Sequence, residues 1–146
     1  FAPGKYRIEE SSAASAMLRI VKEAFEGDFA QYFKPGKKLL VKLSGTADAT
    51  PIHRGIAYDG IYGEFIDEPV YQNGLLTGMT VTSKEGIRQN EQLAFIRACA
   101  VKNYLANNIS NIDTMNTDYT HHIAVSEGKG GEFRRITAEF TFVDAF

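Results

Sequence analysis

Residues 90–105 read NEQLAFIRACAVKNYL, and this stretch decides the fold. Leu93, Ile96, Ala100 and Tyr104 recur at helical spacing along one line. Leu93, Ala94, Ala98, Val101 and Leu105 recur along another. Two adjacent apolar lines make one wide apolar face, which only a heavily buried helix carries. Working back, Thr82-Ser83-Lys84-Glu85 has the threonine-to-glutamate spacing of a capping box, so the spacing predicts a helix from there to about Ala106. In the middle of the apolar run stands Arg97, whose guanidinium cannot shed its charge. An anion is expected beside it, from the protein or from a ligand.

The segments around this helix alternate in type. Tyr6 to Glu10 alternates weakly and predicts a short strand. Ser11 or Ser12 is placed to cap a helix carrying Met17, Leu18, Val21, Ala24 and Phe25 at helical spacing, with Gly27 following its end. Residues 28–38 read as a loop or short helical turn closed by Pro35-Gly36. Lys38 to Gly45 predicts a strand, with residues 46–51 as its exit. Asn73-Gly74 lies between two apolar runs, a strong hairpin signal. Tyr119 to Ser126 and Phe133 to Val143 predict two strands joined through the glycine-rich EGKGG as a hairpin. In the second, Ile136, Ala138, Phe140 and Phe142 alternate with Arg135, Thr137, Glu139 and Thr141, the pattern of a strand buried on one face. The expected class is α+β: strand, helix, strand, inserted hairpin, helix, strand, strand, in a mixed sheet with two helices on one face. One domain over residues 1–146 is expected, with the hairpin insertion at about 52–81.

Composition narrows the function. The net charge of −2 gives no basic footprint for a nucleic-acid partner. No run of about 18 apolar residues is present to span a bilayer, and the first ten residues lack the pattern of a signal peptide. One cysteine, Cys99, allows no internal disulfide; within its apolar run it reads as a buried thiol. His121 and His122 point to opposite faces of a strand, and with His53 they build no ligand set of metal spacing. Ser44 and Cys99 have no base and orienting acid arranged around them, so no catalytic residue is assigned. GKGG lacks the spacing of a phosphate loop. No cofactor is expected. Tyr58, Tyr62 and Tyr71 fit either a contact surface, where tyrosine is enriched, or the insertion's own small core.

A polar set of mixed sign remains. Asn90 and Arg97 are two helical turns apart on one face. Asp48 follows the carboxyl end of the preceding strand, where ligands of α/β arrangements often bind. Arg134 opens the last strand and shares the side of Ile136. A carboxylate and a guanidinium with spare donors suit a zwitterion, the Asp taking an ammonium and the Arg a carboxylate in a two-point grip. The same residues also suit an internal Asp48–Arg97 ion pair, since buried charges are paired as a rule.

Three segments resemble those of one family. LSGTAD (residues 43–48) is similar to the hEGHTD segment of OmpA-like peptidoglycan-binding domains. NEQLAFIRACAVKNYL resembles their N..LS..RA..V..YL helix, and GEFRRITAEF (residues 131–140) resembles their NRRVEI final strand. Thr46 and Ala47 stand where the family has His and Thr, Ala94 stands where it has Ser, and the insertion separates Asp48 from Asn90. The resemblance implies that Asp48 and Arg97 hold the ammonium and carboxylate of a diaminopimelate residue in the peptidoglycan stem peptide, with Asn90 and Arg134 beside them. It implies a periplasmic module, associated with the outer membrane through other parts of its protein, that anchors it to the cell wall. On the alternative reading the same fold is an assembly module whose insertion contacts another envelope protein. Neither reading is an enzyme.

Overall fold

In the computed structural model, residues 5–27, 31, 36–50, 52, 54–109, 116–126, 128 and 135–144 are described. The fold is α+β: a five-stranded mixed sheet with two helices. Helix α1 spans Ser12–Glu26 and α2 spans Asn90–Asn108. Strand β1 spans Lys37–Ala47, β2 Phe65–Gln72, β3 Leu75–Val81, β4 Asn116–Val125 and β5 Ile136–Asp144. The spatial order is β3-β2-β4-β1-β5.

β1 sits between two neighbours because it is the strand that most needs them. Leu39, Val41, Leu43 and Ala47 are buried on its inner face, and it pairs with β4 in parallel and with β5 antiparallel. The parallel pairing requires a crossover, which α2 supplies. β4 and β5 therefore flank β1 and do not form the hairpin expected around EGKGG. A β4–β5 hairpin would leave one ladder edge of the apolar β1 open; the observed order covers both. β1 also runs past Gly45, since Thr46 and Ala47 still pair with Ala124 and Val125.

Both helices pack on the inner face. Phe140 and Phe142, paired with Val41 and Leu39, meet the Phe25 ring of α1 at centroid distances of 4.8 and 6.3 Å. α2 approaches β1 at Gly45, where an added Cβ would lie 2.5 Å from the Ala94 carbonyl oxygen. The alternation in β5 is as expected from its sequence, with Ile136, Ala138, Phe140 and Phe142 on the inner side.

The starts of two elements differ from the sequence reading. Residues Ile8–Glu10 form a 3-10 turn in place of the short strand. The local bonds explain it: Glu10 N donates to Arg7 O, Ser11 N to Ile8 O and Ser15 Oγ to Ile8 O, so the segment satisfies itself without a neighbour. Ser11 then caps α1, its hydroxyl accepting the Ala14 N–H at 3.1 Å. α2 begins at Asn90, later than the capping-box spacing at Thr82 predicts. The Thr82 hydroxyl does accept the Glu85 N–H at 3.3 Å. Gly86 follows with φ of +72°, which no right-handed helix can contain, and Ile87 pairs with Ile56. The helix starts only where the Gln92 side chain turns back to accept the Gln89 N–H at 3.0 Å.

The β2–β3 hairpin turns at Asn73 and Gly74, both with positive φ (51° and 83°), as the Asn-Gly pair demands. It joins the main sheet near its tip, Tyr71 opposite His122 and Gln72 opposite Ile123. Its region contributes to the core: Val70, Met79, Val81 and Tyr58 are buried in one cluster with Leu93, Phe95, Ile96 and Ile123. The insertion read at residues 52–81 thus shares its buried side chains with α2 and β4. Edge-on β-ribbons are too thin to bury both faces alone, and this one closes the core by lying over α2's apolar flank.

Candidate functional site

Asp48 is buried immediately beyond the end of β1. Its carboxylate accepts the Thr50 N–H at 3.1 Å through Oδ1 and the Thr50 hydroxyl at 3.0 Å through Oδ2. This is the local turn that Asp favours two residues before an amide. The backbone on either side is tied to the loop after β4: Ser126 N donates to Ala47 O and Ala49 N to Gly128 O, both at 2.9 Å. On the far side of β1, Thr46 N donates to Arg135 O at 2.9 Å.

Arg97 has 0% of its surface exposed and is the largest fully buried side chain among the described residues. Its Nε donates to the backbone carbonyl of Lys5 at 2.8 Å. The N-terminal segment thus lies against α2. It is held there by Tyr6, which packs edge-on against Tyr58 and Tyr62 (centroids 5.9 and 6.2 Å apart) and donates from its hydroxyl to Ala57 O at 3.4 Å. Arg7 adds an ion pair to Asp59. Asn90 is the first residue of α2 and is half-buried. Arg97 follows two turns along, counted from the end of α2 that Asn90 opens. That end of α2 meets the later half of β1, as the contact between Gly45 and Ala94 fixes. Arg134 lies outside the described residues.

Several residues that the sequence left without a role gather beside α2. A cavity of about 170 Å³ lies beside the later turns of α2, with Cys99 and His121 on its inner wall. His121 is buried and His122 is on the opposite face, where its ring stacks on Tyr71 at 4.9 Å, as strand alternation requires. Burial, then the nearby Lys102 and His122 charges, lower the His121 pKa to about 4. Burial pushes the Cys99 thiol up to about 12, which keeps it protonated. Burial likewise raises Tyr58 and Tyr62 to about 12. The three tyrosines divide between the two roles open to them: Tyr58 is core, Tyr62 packs on the core, and Tyr71 is exposed on the sheet face without helices. Among the described residues no group of three or more His, Cys, Asp or Glu side chains is placed to hold a metal ion. Among them, too, no helix is long and apolar enough to cross a membrane.

Comparison with protein-family models, curated proteins and solved structures finds no match to this chain.

Proposed function

We propose that the chain binds peptidoglycan non-covalently, gripping the zwitterionic end of a diaminopimelate residue between Asp48 and Arg97, with Asn90 and Arg134 as further donors. The module would anchor a periplasmic, outer-membrane-associated protein to the cell wall. One observation carries the reading: a buried carboxylate just past the end of β1 and a fully buried guanidinium on α2 belong to two elements whose backbones touch at Gly45 and Ala94. Charges held away from water grip an oppositely charged ligand more strongly than exposed ones do. The order of the three family-like segments supports the same reading.

The test is co-sedimentation with purified insoluble peptidoglycan, comparing the parent chain with Asp48→Asn and Arg97→Met. Both substitutions keep the side-chain volume, so circular dichroism should show an intact fold. Removing one partner of a desolvated charge pair at an interface typically costs about 2–5 kcal/mol, so pull-down should fall by more than tenfold for each. Undiminished pull-down by both folded variants removes the site assignment.

A second reading has its own observation. Leu75 and Leu76 at the tip of the hairpin are 71% and 64% exposed, the kind of apolar tip that marks a protein contact. On this reading the fold serves assembly. Leu75→Ser with Leu76→Ser would then abolish capture of an envelope partner while leaving peptidoglycan pull-down unchanged.

A further inference from the structure

We infer that the outer edge of β3 is a dimerisation surface, pairing antiparallel with β3 of a second copy of this chain about a two-fold axis through Thr77. The inference rests on neither functional reading, since the surface and its occupant both belong to the chain itself.

β3 stands at one end of the sheet order, and among the described residues only β2 pairs with it. The two-residue turn at Asn73-Gly74 fixes which backbone groups stay open. Such a loop is closed by a hydrogen-bonded pair, here Gln72 and Leu75. Alternation along the antiparallel ladder then turns the N–H and C=O of Leu75, Thr77 and Met79 toward β2, and those of Leu76, Gly78 and Thr80 away from it. The Thr80 carbonyl agrees with this parity, since it accepts from Gln92 Nε2, outside the ladder, at 2.9 Å. That bond closes the edge at one end, and the turn closes it at the other. The open stretch is therefore the N–H and C=O of Leu76 and Gly78, with the Thr80 N–H at its margin. Residues Leu75 to Gly78 are all exposed.

An open edge is a template for another strand, and chains that stay single guard it with charge or proline. The other end of the sheet is guarded in this way: β5 carries Glu139 and Asp144, both exposed. β3 is not, for residues 75–83 read LLTGMTVTS, without a charge or a proline. The same lack selects the occupant. Charges across an interface steer one partner and reject others. This edge has none with which to choose a foreign strand and none to repel its own copy. Its open groups also match themselves. With Thr77 on the axis, Leu76 lies opposite Gly78 of the second copy and Gly78 opposite Leu76 of the second copy. The two open pairs of each edge then meet in four hydrogen bonds. The side chains suit this register. Leu75 shares the inner face with buried Met79 and comes opposite Met79 of the second copy. Leu76, beside Tyr71 on the other face, comes opposite a glycine. One pairing thus covers both exposed leucines in both copies, as a two-fold interface must.

The experiment is sedimentation equilibrium of the whole chain from micromolar to millimolar concentration. A pairing this short lies at the small end of interfaces, so the mean mass should rise with concentration. It should approach two chains and stop there, because two-fold pairing uses up the edge. Thr77 is exposed, and the axis sets its two copies directly opposite each other, where like charges are destabilising. Thr77→Lys and Thr77→Glu should each weaken self-association by at least about tenfold, and an equal mixture of the two should restore it. Circular dichroism should show both folded like the parent. Thr77→Cys should oxidise in air to a disulfide dimer, since residues at a non-hydrogen-bonded site stand about 4.5 Å apart. Leu75→Cys should not, since its two copies would stand roughly 14 Å apart. The native Cys99 is buried and takes no part. A parent chain that stays monomeric at millimolar concentration overturns the inference. Association undiminished by Thr77→Lys overturns it too and places the contact elsewhere. If the charged variants do not fold, the cysteine pair decides: cross-linking of Leu75→Cys as fast as Thr77→Cys overturns the register and the axis through Thr77.

Discussion

Gly45→Ala is a single methyl group, and it should be among the most damaging small changes in this chain. The new Cβ would lie 2.5 Å from the Ala94 carbonyl oxygen, 3.2 Å from the Ala94 carbonyl carbon and 3.4 Å from Ile136 Cδ1. Ordinary contact begins near 3.4 Å, so α2 must retreat from β1 by roughly 0.9 Å. Side chains can rotate out of the way, but the obstacle here is helix backbone. Overpacking of a core typically costs about 1–3 kcal/mol, occasionally more, and a backbone obstacle argues for about 3 kcal/mol. For a chain of this length about 1 kcal/mol lowers the melting temperature by about 2–4 °C, so a drop of about 6–12 °C is expected. Urea unfolding followed by circular dichroism should show the midpoint falling with an unchanged slope, because the surface exposed on unfolding is the same. Two companions sharpen the test. Ala94→Gly should not rescue Gly45→Ala, since the atom met belongs to the peptide group and not to the side chain. Gly74→Ala meets nothing within 4 Å but has φ of +83°, so it should lose only about 1 kcal/mol to left-handed strain. Gly45→Ala melting within 1 °C of the parent would falsify the close approach of β1 and α2.

The other expectations concern the supports of the same core. Ser11→Ala removes the cap of α1 and should lower stability by about 1 kcal/mol in thermal melts, whereas Ser11→Asp should keep it. Tyr6→Ala empties the edge-on tyrosine cluster and should lower the urea-derived stability by about 3 kcal/mol, while Tyr6→Phe loses only one long hydrogen bond and should change it by about 0.5 kcal/mol. His121 is lowered to about 4 in the folded chain, below its usual value of about 6.5, so the unfolded state binds the extra proton first. Its contribution is present in full above pH 6.5 and is lost as pH falls toward 4, about 3 kcal/mol across that window; in His121→Phe the stability-against-pH curve measured by urea unfolding should be flatter there by that amount.

Where a conformation is demanded by a few neighbouring residues, the sequence showed it. Asn73-Gly74 needs two positive φ values, and few residue pairs supply them. The apolar lines of residues 93–105 required a buried helix, and every residue from Leu93 to Val101 is buried. The alternation of β5 likewise announced its inner face. Pairing partners were less legible, because alternation says which face of a strand is buried and nothing about which edge meets which. EGKGG looks like a hairpin loop locally, yet β1 needed both of its edges covered and came between β4 and β5. Thr82 satisfied the first half of a capping box, but Gly86 at φ +72° ended that turn before a helix could grow.

The polar residues show the same boundary more sharply. A charge inside an apolar run reveals that an acceptor must exist, but it cannot reveal one that has no side-chain signature. Asp48 was singled out by its place after β1, and its local partner Thr50, two residues on, emerged only with the structure. For Arg97 the partner of Nε could not be read, because it is the carbonyl of Lys5, 92 residues distant in sequence, and every residue of the chain carries such a carbonyl. The consequence is chemical. In this fold the N-terminal segment, held down by Tyr6 on Tyr58 and Tyr62, belongs to the surroundings of Arg97 as much as the hairpin does. On the peptidoglycan reading, a ligand carboxylate that reaches Nε must take the place of the Lys5 carbonyl, exchanging a neutral acceptor for a charged one. Charge-assisted hydrogen bonds are roughly twice as strong as neutral ones, and that difference is the driving force available for moving the segment aside.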